Sequence, residues 1–262
     1  MTDQSCRGCG AQSSGNYCAA CGQPSPRPDD FSLRRLLAEA WAEISDTDSR
    51  LWRSLSGLVV PGRLTRAWLD HEWSRHLPPL RLYLIASGVY FLLAWDVGFQ
   101  INTEMMRSAP AGVVSPQMMA IFDDPATADR VSDLTALMKF LFVVPMGLWL
   151  ALLHWGNRRP VGEHMVFALH YTTMDFALFS LLAPVIAFSP DSLQVLAYSL
   201  STQLGLLALG LWAILAVRRV YRRSWLSSVV RGLAVLVMAV VLSQLSGQLA
   251  AAIVLSTTEW PT

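Results

Sequence analysis

The sequence predicts an all-α membrane protein: a five-helix transmembrane bundle preceded by a small cysteine-rich head and by amphipathic surface helices. Three observations carry this expectation. Of the 262 residues, 53% are hydrophobic and only 15% are charged, against roughly 25% charged in soluble domains. Five apolar stretches each approach the ~20 residues that a helix needs to cross a bilayer. All four cysteines fall within the first 21 residues, so no disulfide framework staples the rest.

The head is residues 1–23. Cys6-Arg-Gly-Cys9-Gly10 and Cys18-Ala-Ala-Cys21-Gly22 form two C-x-x-C-G pairs with eight residues between them. Four thiolates at this spacing suit a tetrahedral zinc site, and a glycine after each pair can take the backbone conformation that a tight knuckle needs. A redox dithiol or two disulfides are the rival readings. A redox pair normally needs one C-x-x-C in a βαβ context, which is missing. Cys6, Cys9, Cys18 and Cys21 are therefore expected to hold one structural zinc ion, folding a segment too small for its own core. Four thiolates close the coordination shell and leave no position open for catalysis.

Pro24, Pro26 and Pro28 stiffen a linker over residues 24–30. Amphipathic helices are expected over 31–79. Asp29 and Asp30 offer an N-cap to FSLRRLLAEAWAEI, in which Leu33, Leu36, Leu37, Ala40, Trp41 and Ile44 share a face. Leu51–Val60 ends at Pro61-Gly62, and Leu64–Leu77 stops at Pro78-Pro79. None is long enough to cross. Basic helices with tryptophan suit the membrane surface, and docking on the protein's own helices is the equal alternative. Acidic residues interrupt the arginines and no stacking motif accompanies them, so no nucleic acid is expected.

The bundle occupies 80–262, with spans at about 82–101, 134–155, 165–188, 193–217 and 226–255. The N-terminus shows no cleavable signal peptide, so the first span is expected to act as its own insertion signal. Arg158 and Arg159 follow the second span, and Arg218, Arg219, Arg222 and Arg223 follow the fourth, whereas 189–192 holds no basic residue. The positive-inside rule places the N-terminus and both arginine loops in the cytoplasm and the C-terminus outside. A site built from reduced thiols agrees with that compartment. Lys139 is the only lysine against nineteen arginines, a bias that hints at a bacterial inner membrane. The loop over 102–133 is acidic and carries Pro110, Pro116 and Pro125. A solvated loop, with or without a short helix, is the reading there.

Ionisable groups inside spans are costly and point to function by default. Asp96 and His154 lie near span ends, and the third span carries Glu163, His164, His170, Tyr171 and Asp175. Glu163 and His170 share one helical face; His164, Tyr171 and Asp175 share the next. A metal site, a proton relay or a substrate stripe would use such groups, as would interhelical hydrogen bonds that only hold a bundle together. Gln203, Gln244 and Gln248 are the candidate partners. Ser243, Gly247 and Ala251 form a small-residue stripe suited to close helix contact. No H-E-x-x-H, G-x-S-x-G or phosphate loop is present.

The order of these pieces resembles a family of uncharacterised bacterial membrane proteins, the domain-of-unknown-function family 3667. The shared features are the head ending Tyr17-Cys18-Ala19-Ala20-Cys21-Gly22-Gln23, the Pro61-Gly62 element, Arg75 followed by Pro79-Leu80-Arg81-Leu82-Tyr83, and Glu163-His164 with His170. His71-Glu72-Trp73 departs from the glycine and basic residues of relatives. The resemblance implies a membrane location and a zinc-ribbon-like head, and no known activity. The preferred functional reading is a scaffold that binds a cytoplasmic partner protein through the head. A small-solute or ion transporter using the third span follows, then an intramembrane enzyme. Self-association is compatible with each.

Overall fold

The computed structural model describes residues 4–5, 10–13, 20, 50–110, 115, 119, 123–157 and 159–257. The chain forms two units, Met1–Ser49 and Arg50–Thr262. In the first, β1 (Gln4–Ser5) pairs antiparallel with β2 (Gln12–Ser13), Gln4 opposite Ser13 and Ser5 opposite Gln12. Cys6, Cys9, Cys18 and Cys21, the linker and the helix expected over 31–44 lie outside the described residues.

The second unit is helical. Residues 50–59 form α1 and Arg63–Leu69 form α2, followed by a 3-10 turn at Trp73–Arg75. Then come α3 (Pro79–Leu93), α4 (Trp95–Arg107), α5 (Pro125–Phe140), α6 (Val143–Leu153), α7 (Val161–Ala187), α8 (Asp191–Tyr221) and α9 (Trp225–Thr257). Among the described residues, four helices are long and apolar enough to cross a membrane: α5 with α6, α7, α8 and α9. A fifth crossing exists if α3 and α4, bent by 50° at Ala94, count as one broken span. Large side chains point outward from this bundle, with Leu181, Leu207 and Leu226 at 76, 70 and 78% exposure. In water such a surface is an aggregation hazard; against lipid it costs nothing. The helices are those of a multi-pass membrane protein.

Helix boundaries differ from the expected spans for local reasons. Asp124 caps α5 by accepting the Thr127 N–H at 3.1 Å, with Pro125 in the first turn. The helix therefore starts nine residues before Leu134. At the other side α4 runs to Arg107, so both ends of the acidic segment expected as loop are helical. Between α5 and α6 the ladder slips at Leu141–Phe142. Pro145 has no N–H for the Leu141 carbonyl, which accepts instead from Val144 at 3.2 Å. The bend at Ala94 has no proline to mark it. Packing holds it: Tyr90, Phe91, Trp95 and Phe99 form an aromatic run, and Trp95 donates to Ser132 at 2.9 Å.

Of the two readings for 50–77, docking on the protein's own helices is the one observed. Leu58, Leu64 and Leu77 are each 2% exposed and join Phe167, Trp212 and Val220 in the main core. The indole of Trp212 donates to the Leu58 carbonyl at 2.9 Å. Leu77 N–H donates to the Ser54 hydroxyl at 2.9 Å, closing α1 onto the end of the segment. Gly62 makes the approach possible. Its φ is 70°, and a Cβ there would stand 3.0 Å from both the Cα and the carbonyl oxygen of Ala216. Of the stripe at Ser243, Gly247 and Ala251, Ala251 is buried and packs with Val131 of α5, while Ser243 is exposed. A Cβ on Gly247 would meet nothing within 4 Å, whereas one on Gly232 would lie 2.5 Å from Ile214 Cα. Gly232 is thus where α9 closes on α8.

Gly62→Ala should destabilise the fold by about 1–2 kcal/mol from the left-handed backbone alone, and further because the neighbour is backbone and cannot give way. Thermal unfolding in detergent measures it; an unchanged midpoint would show that α2 does not depend on this contact.

Candidate functional site

The polar residues of α7 do not converge on one site. Glu163 pairs with Arg159 at 3.1 Å, one turn back. His164 is 2% exposed, and its Nδ1 lies 2.8 Å from the Tyr221 hydroxyl of α8. His154, also buried, stacks on Tyr221 with ring centroids 3.7 Å apart. His170 is fully buried, with its Nδ1 3.0 Å from the Thr65 hydroxyl of α2. These contacts join α7 to α8 and α2. Asp96 is exposed in the first turn of α4.

Tyr171 and Asp175 face a different place. They line a cavity of about 250 Å³ inside the helix bundle. Asp175 lies 3.8 Å from Lys139 of α5, the chain's only lysine. The two side chains keep 22 and 14% of their surface, and both line the cavity. Lys139 Nζ also sits 4.8 Å from the centre of the Tyr90 ring, a cation–π distance. Tyr198 and Thr202 of α8 and Gln244 of α9 complete the polar wall. The Tyr171 hydroxyl is buried without a hydrogen-bond partner among the described residues. The lining thus offers an ammonium, a carboxylate, phenols and an amide within apolar walls of Phe179, Ile186 and Leu236. Such a lining can hold a small solute carrying both charges, or relay a proton.

Lys139, Tyr90, Tyr198 and Thr202 were not legible as site residues from sequence. A single lysine set among the aliphatic side chains that follow Leu134 was the available signal. The three glutamines expected as partners, Gln203, Gln244 and Gln248, are all exposed, and Gln244 also lines the cavity. Among the described residues no group of three or more His, Cys, Asp or Glu is placed to hold a metal.

Removing one member of a buried ion pair leaves the other charge without compensation, at about 3–5 kcal/mol, whereas replacing both with apolar groups is often near neutral. Lys139→Met and Asp175→Leu should each be strongly destabilising, and the double variant much less so than their sum. Unfolding of the three variants in detergent measures the coupling; additive losses would mean that the two groups do not act as a pair.

No curated protein and no solved structure matches the chain. Residues 48–91, which include α1, α2 and most of α3, match the family described as Protein of unknown function (DUF3667), the family that the sequence resembles.

Proposed function

We propose that this chain is a carrier for a small polar solute in a bacterial inner membrane, with its arginine-rich end toward the cytoplasm. The Lys139–Asp175 pair carries the reading. An ion pair within a span is expensive, and a purely structural one gains by closing to hydrogen-bond distance. This pair stays at 3.8 Å and lines a cavity. A zwitterion would bridge it, with its carboxylate on Lys139 and its cationic end between Asp175 and the Tyr90 ring. The unpartnered Tyr171 hydroxyl supplies a further hydrogen bond. No catalytic residue is assigned.

A test is uptake of glycine and betaine into vesicles holding the purified protein. Uptake should occur with the native chain and fall by about tenfold or more in Asp175→Asn, the loss expected for a charged hydrogen bond worth ~1.5–3 kcal/mol. Equal uptake by the native chain and the Asp175→Asn variant would remove the pair from the mechanism. Reporter fusions at Asp191 and Thr257 should both report the outer side; a cytoplasmic signal at Thr257 would reverse the proposed orientation of α9.

A second reading concerns the head. The β1–β2 pairing sets Ser5, which precedes Cys6 in the chain, opposite Gln12, and Gly10 has a φ of 74°, the left-handed conformation a metal knuckle uses. Zinc held by Cys6, Cys9, Cys18 and Cys21 would fold the head as a docking module for a cytoplasmic protein. One zinc per chain is expected by elemental analysis of protein purified with reductant, and Cys9→Ser should lower it; metal-free native protein would end this reading.

A further inference from the structure

We propose that the cavity between α1, α2 and α8 binds a phosphate-type anion, either the headgroup of an anionic lipid or a free phosphate. The cavity measures about 590 Å³. Arg53 lines it from α1, Arg63 and Arg66 from α2, Arg75 from the 3-10 turn and Arg219 from α8. Against these five guanidinium groups stand the two carboxylates of Asp70 and Glu72. Asp70 holds Arg66 at 2.9 Å, and Glu72 lies 3.7 Å from Arg75. Among the described residues that line it, the cavity holds more guanidinium groups than carboxylates, a balance that suits an anion.

The walls are built rather than incidental. Arg219 donates to the Pro61 carbonyl at 2.6 Å, which fixes one guanidinium against the turn before α2. Fixed guanidinium groups lose little freedom on binding and match phosphate oxygens two at a time. A neighbouring cavity of about 370 Å³ shares Arg66 and Asp70 and adds Arg159 and Arg222, with Glu163 as a third carboxylate. The two cavities therefore share a wall, and Arg222 adds a further guanidinium group. Burial, and then Arg53, Arg63 and Arg75, hold the His76 imidazole below its ordinary pKa against the opposing pull of Glu72.

The position suits a membrane interface. The cavity lies at the end of the bundle where α6 and α8 finish and α9 begins. Trp52, Trp155 and Trp225 are 70, 83 and 58% exposed at that end, and tryptophan favours the headgroup level. Basic pockets between helices on this side of a membrane are suited to lipid phosphates. Apart from Arg219, every residue named in its wall falls within the segment 48–91 that carries the family match.

The test uses the full chain in nanodiscs. In the first arm the bilayer is an equal mixture of phosphatidylglycerol and phosphatidylcholine, and native mass spectrometry reads which lipid stays bound. In the second, nanodiscs of phosphatidylcholine alone are titrated with inorganic phosphate while the unfolding temperature is followed. The variants are Arg53→Gln with Arg63→Gln, both exposed positions, and Arg107→Gln in α4 as the control. Retention of phosphatidylglycerol, or stabilisation by phosphate, is expected for the native chain and the control. It should weaken by about tenfold or more when Arg53 and Arg63 are neutralised, since charged hydrogen bonds are each worth ~1.5–3 kcal/mol. Signal in the first arm alone identifies a lipid headgroup, and in the second alone a free phosphate. If the glutamine variant fails to fold, lysine at both positions keeps the charge but not the paired hydrogen bonds and should show a partial loss. No anion preference in either arm, or one that Arg53 and Arg63 do not affect, would overturn the proposal.

Discussion

An ionisable side chain inside a membrane is costly unless it is paired within the protein, and three of those on α7 are paired with other helices. This constraint shapes the arrangement around it. His170 draws in Thr65 of α2, His164 draws in Tyr221 of α8, and Asp175 draws in Lys139 of α5. Apolar helices alone have little preference for one rotation over another in lipid, because the tails are as apolar as leucine. Each polar contact removes that freedom. Three contacts to three different helices fix the rotation of α7, and with it which residues reach the cavity.

The same helix also explains how far the sequence could be read. Apolar runs of the right length marked the later spans, and each falls on a helix long and apolar enough to cross a membrane. The first run was legible only in part, since the 50° bend at Ala94 rests on packing of Tyr90 and Phe91 against Trp95 and on the hydrogen bond from Trp95 to Ser132 of α5, with no proline to signal it. The break before α6 had its signal, Pro145, within an apolar run that masked it. For 50–77 the periodicity established an apolar face but not what the face would meet. Leu58, Leu64 and Leu77 look the same in sequence whether they touch lipid or Trp212.

The candidate site was legible on one side only. Asp175 stood out because a carboxylate in a span is costly. Its partner was harder to see. Lys139 lies fourteen residues before Leu153 in a stretch otherwise rich in leucine and valine, and it read as a detail of composition. Pairing across helices is a property of rotation and depth, which one-dimensional spacing does not contain. At 1.5 Å per residue, Lys139 lies roughly 21 Å from the end of α6 and Asp175 roughly 18 Å from Glu163. The two charges meet because the helices run antiparallel from the same arginine-rich end.

The short helix α2 shows how the two cavities come to exist on one frame. Seven residues are too few to hold a helix in isolation. Its shape is borrowed from the bundle through Leu64 and Thr65, which are buried, and through Gly62, which lets the backbone approach α8. Arg63 and Arg66, on the opposite side of that helix, can then line a cavity only while α2 is docked. On the inner side, Thr65 meets His170, and the next residue of α7, Tyr171, already lines the Lys139–Asp175 cavity. The docking of α2 thus sets the arginine wall and completes the burial of the helix that presents Asp175. Undocking α2 would expose His170 and disperse the arginines together, so integrity of this one contact is a condition for both cavities.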